Sequence, residues 1–417
     1  MDLSTKSVCI VDNGIFSELA TTLAESFGKV YYTSPWVSDF PSSHKTELAE
    51  GFAEFDRVPD IWELIDDVDL FVFPDLYNGP LQMYLAEQGK RVFGSRNGDE
   101  LENYRGEAKE LFAELDIPQG KYEICNGIDD LRAYLKRKGS TKVWVKINLT
   151  RRDTETFPCV GYELVKNRLD QLEADLGPMV KNMPFLVEDD LLGTLDVAID
   201  TFCVDGQYPD TVVLGTEVKG EAYLGCKKQW DDIPLRLTSI YDKLSPTLEK
   251  FQYRCFLSLE SRCRDNMVWL CDPCCRAGSP PLELQLNWVT NLAEVLWEAA
   301  DGNIVEPKYD GKYGFELIIH SDWAPKHPLK LEFPEKYRNQ LKFRYASQFK
   351  DGLWIMPQDG GPRIAAAVAS GNDIEACFEE CKEIAGSLNG IQVETFTRAM
   401  VDLRENLKKL SSWGISF

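Results

Sequence analysis

Over its first hundred residues the chain alternates short β-branched and aromatic runs with segments of helical length. SVCIVDNG is followed by IFSELATTLAESFG, KVYYTS, DIWELIDDVD, LFVFPD, PLQMYLAEQG and RVFGS. Strands separated by crossover helices pair in parallel, so this pattern predicts a doubly wound, Rossmann-like sheet. Such sheets take ligands beyond the carboxyl ends of their strands, and the first strand ends on Asp12-Asn13-Gly14. No GxGxxG fingerprint follows it, which leaves a dinucleotide site weakly indicated and a purely supporting domain the more natural reading.

The pattern then changes. Residues 99–116, DELENYRGEAKELFAELD, read as one amphipathic helix with an acidic first turn. KYEICNG, IDDLRAYLKRKG and KVWVKIN continue as strand, helix and strand, followed by the polar LTRRDTETFP and a helix from about 163 to 177. FLVEDDLLG, LDVAIDTFCVDG, DTVVLGTEVKG, FLSLESRC and MVWLCD are strands with hairpin-type corners, hence an antiparallel sheet, and residues 284–302 close the block as one helix. After Gly302 come the strands GFELIIHSDW, LKFRYASQFKDGLWIMP and RIAAAVASG and a helix that Asn372 or Asp373 caps. The expected layout is α/β and α+β multidomain: a Rossmann-like domain at 1–100, a central domain with an antiparallel sheet at 101–305, and a small α+β domain at 306–417.

Charge narrows the function classes. Against 46 Lys and Arg stand 68 Asp and Glu, a net charge of -22, which argues against duplex nucleic acid as the main partner. A local basic pocket for a small anion stays compatible with that balance. No apolar run reaches bilayer length, and MDLSTKSVCIVDNG has no basic flank leading into a long apolar core. A cytoplasmic protein with its 12 cysteines as thiols is expected.

Several residues stand out for their chemistry. Lys146 sits inside the apolar strand VWVKIN, where an ammonium needs an anionic partner, either a ligand phosphate or a structural carboxylate. In LCDPCCRAGSPP, Cys271, Cys274 and Cys275 together with Cys263 raise zinc, but the second spaced pair is missing, and strand alternation would point Cys271 and Asp272 to opposite faces. A cysteine nucleophile would depend on His44, His320 or His327, none of them near in sequence. Glu260 and Asp272, on successive strands, are oxygen donors suited to Mg2+.

This order of parts resembles the ATP-grasp superfamily over nearly the whole chain, and within it phosphoribosylamine-glycine ligase. VFGSRNGDELENYRGEAKELFAELDIPQGKY is similar to that family's Phe-Gly, phosphate-lysine helix and Ile-Pro corner, CCRAG to its Asn-Cys-Arg-Phe-Gly motif, and NLAEVLWEAADG to the helix behind it. A fainter resemblance is to ATP-grasp proteins of tailed bacteriophages. The resemblance implies an ATP-grasp central domain with its hinge near 186–193. It also implies ATP and Mg2+ as cofactors, and amide formation from a carboxylate and an amine through an acyl phosphate.

Carried onto this sequence, the resemblance makes Lys146 and Arg105 phosphate ligands, although a solvated helix-face pair of Arg105 with Glu102 is as natural. The Gly-rich phosphate loop is replaced by NLTRRDTETFP, in which Arg151 and Arg152 would substitute side-chain charge for backbone cradling. Glu188, Asp189 and Leu191 would meet adenine and Asp196 the ribose; Glu260 and Asp272 would hold Mg2+, with Cys274 where the family has an Asn ligand. Arg276 and Ser279 would turn over the reacting groups, and Pro280-Pro281 would delay the next helix to about Leu284. The shorter GTEVKGEAYLGCKKQWDD replaces the family's amine-binding loop and offers Glu217, Lys219 and Lys227, which argues against phosphoribosylamine as substrate. The expected partners are therefore a small-molecule carboxylate and amine, or a protein supplying the amine. A degenerate nucleotide-binding scaffold or inhibitor, or a phosphotransferase without ligation, remains the alternative.

Overall fold

The computed structural model describes residues 1–34, 48–147, 156–357 and 361–417. The N-terminal alternation folds as expected into a five-stranded parallel sheet, ordered Asp56–Arg57, Lys29–Thr33, Ser7–Val11, Leu70–Val72, Arg91–Phe93. All five residues of Ser7–Val11 are buried, the signature of a strand covered on both faces. The strand order reverses direction between Ser7–Val11 and Leu70–Val72, so this sheet has its topological switch point there.

Two antiparallel sheets carry the rest of the expected pattern. The smaller has Tyr122–Asn126, Pro184–Asp189, Val143–Ile147 and Thr156–Cys159 side by side, backed by helices Ile128–Lys138 and Tyr162–Leu176 over a core of its own. The larger has nine strands: Met267–Cys274, Arg254–Arg264, Leu195–Val204, Thr211–Val218, Ala222–Gln229, Tyr313–Ser321, Arg363–Gly371 and Leu341–Phe343 in order, with Val393–Thr395 also against Tyr313–Ser321. Strands on both sides of residue 305 thus share one sheet. A third sheet of Leu329–Leu331, Gly352–Ile355 and Ala346–Phe349 completes the set. Asp373 accepts from the Ala376 amide and caps the helix Ile374–Gly386, as the sequence predicts.

Two expected helices are broken, each for a visible reason. Residues 99–116 divide at Tyr104 (φ -99°, ψ 69°) into Glu100–Asn103 and Arg105–Glu114. The break turns Glu102 toward residues 275 and 276, while Lys109 faces the smaller sheet. Residues 284–302 divide into Leu282–Trp288 and Leu292–Ala300, because Val289 is extended and bridges Tyr309 while Thr290 donates to the Lys308 carbonyl.

That second break seats Trp288, fully buried, on the large sheet. Gly215, Gly225 and Gly314 lie opposite one another on three neighbouring strands. A methyl group on Gly314 would stand 2.7 Å from Trp288 Cε3, and one on Gly225 3.0 Å from Cζ3. An indole occupies the space at Gly225 and Gly314, while at Gly215 the Asp200 carboxylate and Tyr223 hydroxyl do, each 2.4 Å from where a methyl would stand. Gly314→Ala is accordingly expected to lower stability by about 1–3 kcal/mol through overpacking. Urea unfolding followed by tryptophan fluorescence measures this, and an unchanged midpoint would count against the packing account.

Among the described residues no helix is long and apolar enough to cross a membrane. No disulfide joins the twelve cysteines.

Candidate active site

Lys146 lies on the strand Val143–Ile147, whose Val143, Val145 and Ile147 enter the smaller sheet's core. Alternation sends Lys146 to the other face, toward the edge of the large sheet. Its Nζ stands 2.5 Å from Glu188 Oε2 and 2.6 Å from Asp272 Oδ2, with only 7% of the side chain exposed. Lys109 reaches the same place, 2.7 Å from Glu188 Oε1 and 3.0 Å from the Cys271 carbonyl. Arg105, buried one helical turn before it, donates to the Ile147 carbonyl.

The electrostatics follow from these contacts. Burial works against the Lys146 ammonium, but Asp272 and Glu188 outweigh it and hold its pKa above the ordinary lysine value. Burial likewise opposes the Asp272 carboxylate, yet Lys146, Arg105 and Lys109 keep it well below the usual range. Two lysines and two carboxylates touch, with Arg105 a third cation behind them.

A bulge shapes the neighbouring edge. Glu260 pairs with Asp272 and Ser261 with Leu270, so Cys271 is the extra residue. Simple alternation, which would send Cys271 and Asp272 to opposite faces, therefore fails at this point: both lie in the field of Lys146. Across three neighbouring strands, carboxylate oxygens of Glu260, Asp196 and Glu217 lie within 4.8 Å of one another. Lys219, at the tip of the next hairpin, spans Glu217 (2.5 Å) and Glu260 (2.7 Å), and Arg262 approaches Asp196 at 3.3 Å. Burial, then Glu260, drive the Asp196 pKa well above the ordinary value, whereas at Glu260 burial and the Asp272 charge are overcome by Lys219 and Arg262 together and the pKa is lowered.

This donor set fits a hard divalent cation. It is all oxygen, clustered, and includes a buried Asp196 Oδ2 whose one charged neighbour, Arg262 at 3.3 Å, makes no well-aligned hydrogen bond to it. No group of cysteines with metal-ligand spacing occurs among the described residues. Cys274 Sγ is turned instead to the Arg276 carbonyl at 3.8 Å.

Beyond the bulge, Arg276 Nε is 3.1 Å from Glu102 Oε1 and 3.7 Å from Asp75 Oδ1, while the Cys275 amide donates to Glu102 Oε2. Ser279 donates to Glu283 at 2.7 Å, and Glu283 also pairs with buried Arg344. The helix after the proline pair begins at Leu282, two residues earlier than the sequence suggests.

The structure thus brings together Lys146, Glu188, Asp272, Glu260, Asp196, Glu217 and Lys219, with Arg105 behind them and Arg276 on the following loop. Arg105 is not the solvated pair with Glu102 that its helical spacing allows; it is buried against residue 147, and Glu102 serves Arg276. Asp189 faces outward to Lys138, and the Leu191 carbonyl accepts from Thr194, so neither joins the charged group. Lys227 pairs with Val213, four residues along the hairpin from the Glu217–Tyr223 pair, roughly 13 Å away at the strand rise. Arg151 and Arg152 lie outside the described residues. The sequence does not place Lys109 or Arg262 in the site, and offers Glu102 only as a partner for Arg105. The spacing of Lys109 from Arg105, one helical turn, was a usable signal, since residues four apart share a face; Glu102 and Arg262 carried none.

No protein-family model matches the sequence, and no curated protein is similar to it. Solved structures are similar throughout. Phosphoribosylamine-glycine ligase from Thermotoga maritima superposes with a TM-score of 0.69 at 16% identity, over 93% of this chain and 98% of that one. Biotin carboxylase from Campylobacter jejuni, a complex with β,γ-ATP, gives 0.67 at 12% identity over 98% and 96%. The biotin carboxylase domain of Hydrogenobacter thermophilus 2-oxoglutarate carboxylase, solved with Mg-ADP, ADP and bicarbonate, gives 0.66 at 11% over 96% and 98%. Over almost its entire length, then, the chain has the fold of the ATP-grasp enzymes.

Proposed function

We propose that the protein is an ATP- and Mg2+-dependent carboxylate-amine ligase for a small molecule other than phosphoribosylamine. The observation that carries this reading is Lys146 held between Glu188 and Asp272, with Glu260 paired to Asp272 and the Asp196–Glu217 oxygens on the next two strands. ATP-grasp neighbours solved with β,γ-ATP and with Mg-ADP support it.

In this reading Lys146 and Lys109 turn from the carboxylates to the triphosphate, and Asp196, Glu217 and Glu260, with Asp272 beside them, would hold the metal. Bound Mg2+ would neutralise charge building on the transferring phosphoryl group. A substrate carboxylate oxygen bonds to the γ-phosphorus as the bond to ADP breaks. The amine nitrogen then attacks the acyl carbon, inorganic phosphate leaves, and the amine gives up a proton to yield the amide. Arg276, braced by Glu102, is placed to orient the carboxylate. Lys219 and Arg105 complete the proposed nucleotide side.

Cys274 favours a second reading, a nucleotide-binding scaffold, because a thiol is a poor Mg2+ ligand. ADP release with carboxylate and amine panels, followed by mass spectrometry for the amide, separates the two. Amide formation lost in Lys146→Ala supports the ligase; nucleotide binding with no ADP release across the panels supports the scaffold, and phosphorylated product without amide would mean simple phosphotransfer.

A further inference from the structure

The Asp12-Asn13-Gly14 turn takes no part in the charged group around Lys146. It ends Ser7–Val11, and Asp75 follows Leu70–Val72, so the two flank the switch point at which doubly wound sheets take ligands. Asn13 Nδ2 ties them together, donating to Asp75 Oδ2 at 2.7 Å. Tyr345, from the C-terminal part of the chain, donates its amide to the Gly14 carbonyl at 2.7 Å, and Arg276 borders Asp75 at 3.7 Å.

What the site lacks identifies what it takes. Asp12 is 3% exposed. Its Oδ2 accepts from the Gly14 amide (3.0 Å), the Phe16 amide (2.8 Å) and the Tyr32 hydroxyl (2.6 Å), while its Oδ1 is buried with no hydrogen-bond partner among the described residues. Asn13 Oδ1 is buried and likewise has no hydrogen-bond partner among the described residues. Both orphaned atoms are acceptors, and leaving a buried acceptor unpaired is costly. The two amides that could cradle a phosphate are already taken by Asp12. Burial pushes the Asp12 carboxyl up to about 6, with the Tyr32 hydroxyl and the Phe16 amide pulling it back and Asp75 adding to the rise. A donor carrying positive charge suits both orphans, and beside them the Asp75 and Glu102 carboxylates share the Arg276 guanidinium.

We infer that this switch point is a binding site for a primary ammonium group, received by Asp12 Oδ1 and Asn13 Oδ1 with the Asp75 charge beside them. Its assignment to the amine substrate rests on the ligase reading; ammonium binding itself does not. The substrate is then recognised by an amine at this end and not by a phosphate.

The test uses the full chain without nucleotide, with ethylammonium and 1,4-diaminobutane as probes and sodium phosphate and sodium acetate as counter-probes, read by ligand-observed NMR at constant ionic strength. Saturable binding of the amines alone is expected, weakened about tenfold or more in Asp75→Asn, as the loss of a charged partner implies. Asp12→Asn keeps an oxygen for Gly14 and Phe16 but puts N–H groups where Oδ1 stood, so it should abolish binding; circular dichroism confirms that both variants are folded. Phosphate or acetate binding in place of the amines, or affinity unchanged in Asp75→Asn, overturns the assignment. Amine binding intact with no ATP binding strikes the ligase reading alone, and ATP binding intact with no amine binding strikes this site alone.

Discussion

Lys146→Met is expected to cost about 3–5 kcal/mol of folding stability, toward the lower end because Asp272 is 28% exposed. The ammonium lies within 2.6 Å of two carboxylates, and methionine fills its volume while leaving both charges without it. Lys109 still reaches Glu188, but Asp272 keeps only the more distant fields of Arg105 and Lys109. The pH dependence follows from the direction of the shift. Because Asp272 titrates lower in the folded protein than unfolded, its contribution is present above about pH 4 and is lost as pH falls toward the folded pKa. In the variant that pKa rises, so acid unfolding should begin at higher pH. Urea titrations from pH 3 to 7 on both proteins measure both effects. Parallel curves separated by less than about 1 kcal/mol, the range of an exposed ion pair, would show that the pair is no more than a surface contact.

Nucleotide binding is expected to depend on Mg2+ by about 100-fold or more, since each buried carboxylate stripped of its counter-ion costs several kcal/mol. Without nucleotide, Lys146 neutralises Glu188 and Asp272, and Lys219 neutralises Glu217 and Glu260. Phosphates that draw Lys146 away leave those carboxylates exposed to one another. A divalent cation supplies the charge that was removed, so ATP and Mg2+ should each tighten the other by the same factor. Calorimetry with ATP in Mg2+ and in EDTA measures it, and equal affinity in the two would mean that the lysines never leave their carboxylates. Lys219 is 63% exposed at a hairpin tip, so its exchange should cost less than that of Lys146.

Much of this was legible in local sequence. Period-two and helical patterns are imposed by burial on one face, and they placed the parallel sheet, the antiparallel strands and the capped helix at Asp373. Lys146 stood out because an ammonium inside an apolar strand requires a partner, and Asp272 because it ends a strand next to one bearing Glu260. The sequence by itself thus determined the element order and which charged side chains must be held. It had no means of saying what holds them. Lys109 meets Glu188 across two elements nearly eighty residues apart in sequence, and Lys146 meets Asp272 only because the smaller sheet packs against an edge of the larger one. The bulge at Cys271, the breaks at Tyr104 and Val289, and the pairing of Asn13 with Asp75 are likewise set by distant partners. Local periodicity reports which face of an element is buried. Counter-ion partnership depends on how those elements meet, and that the tertiary structure alone decided.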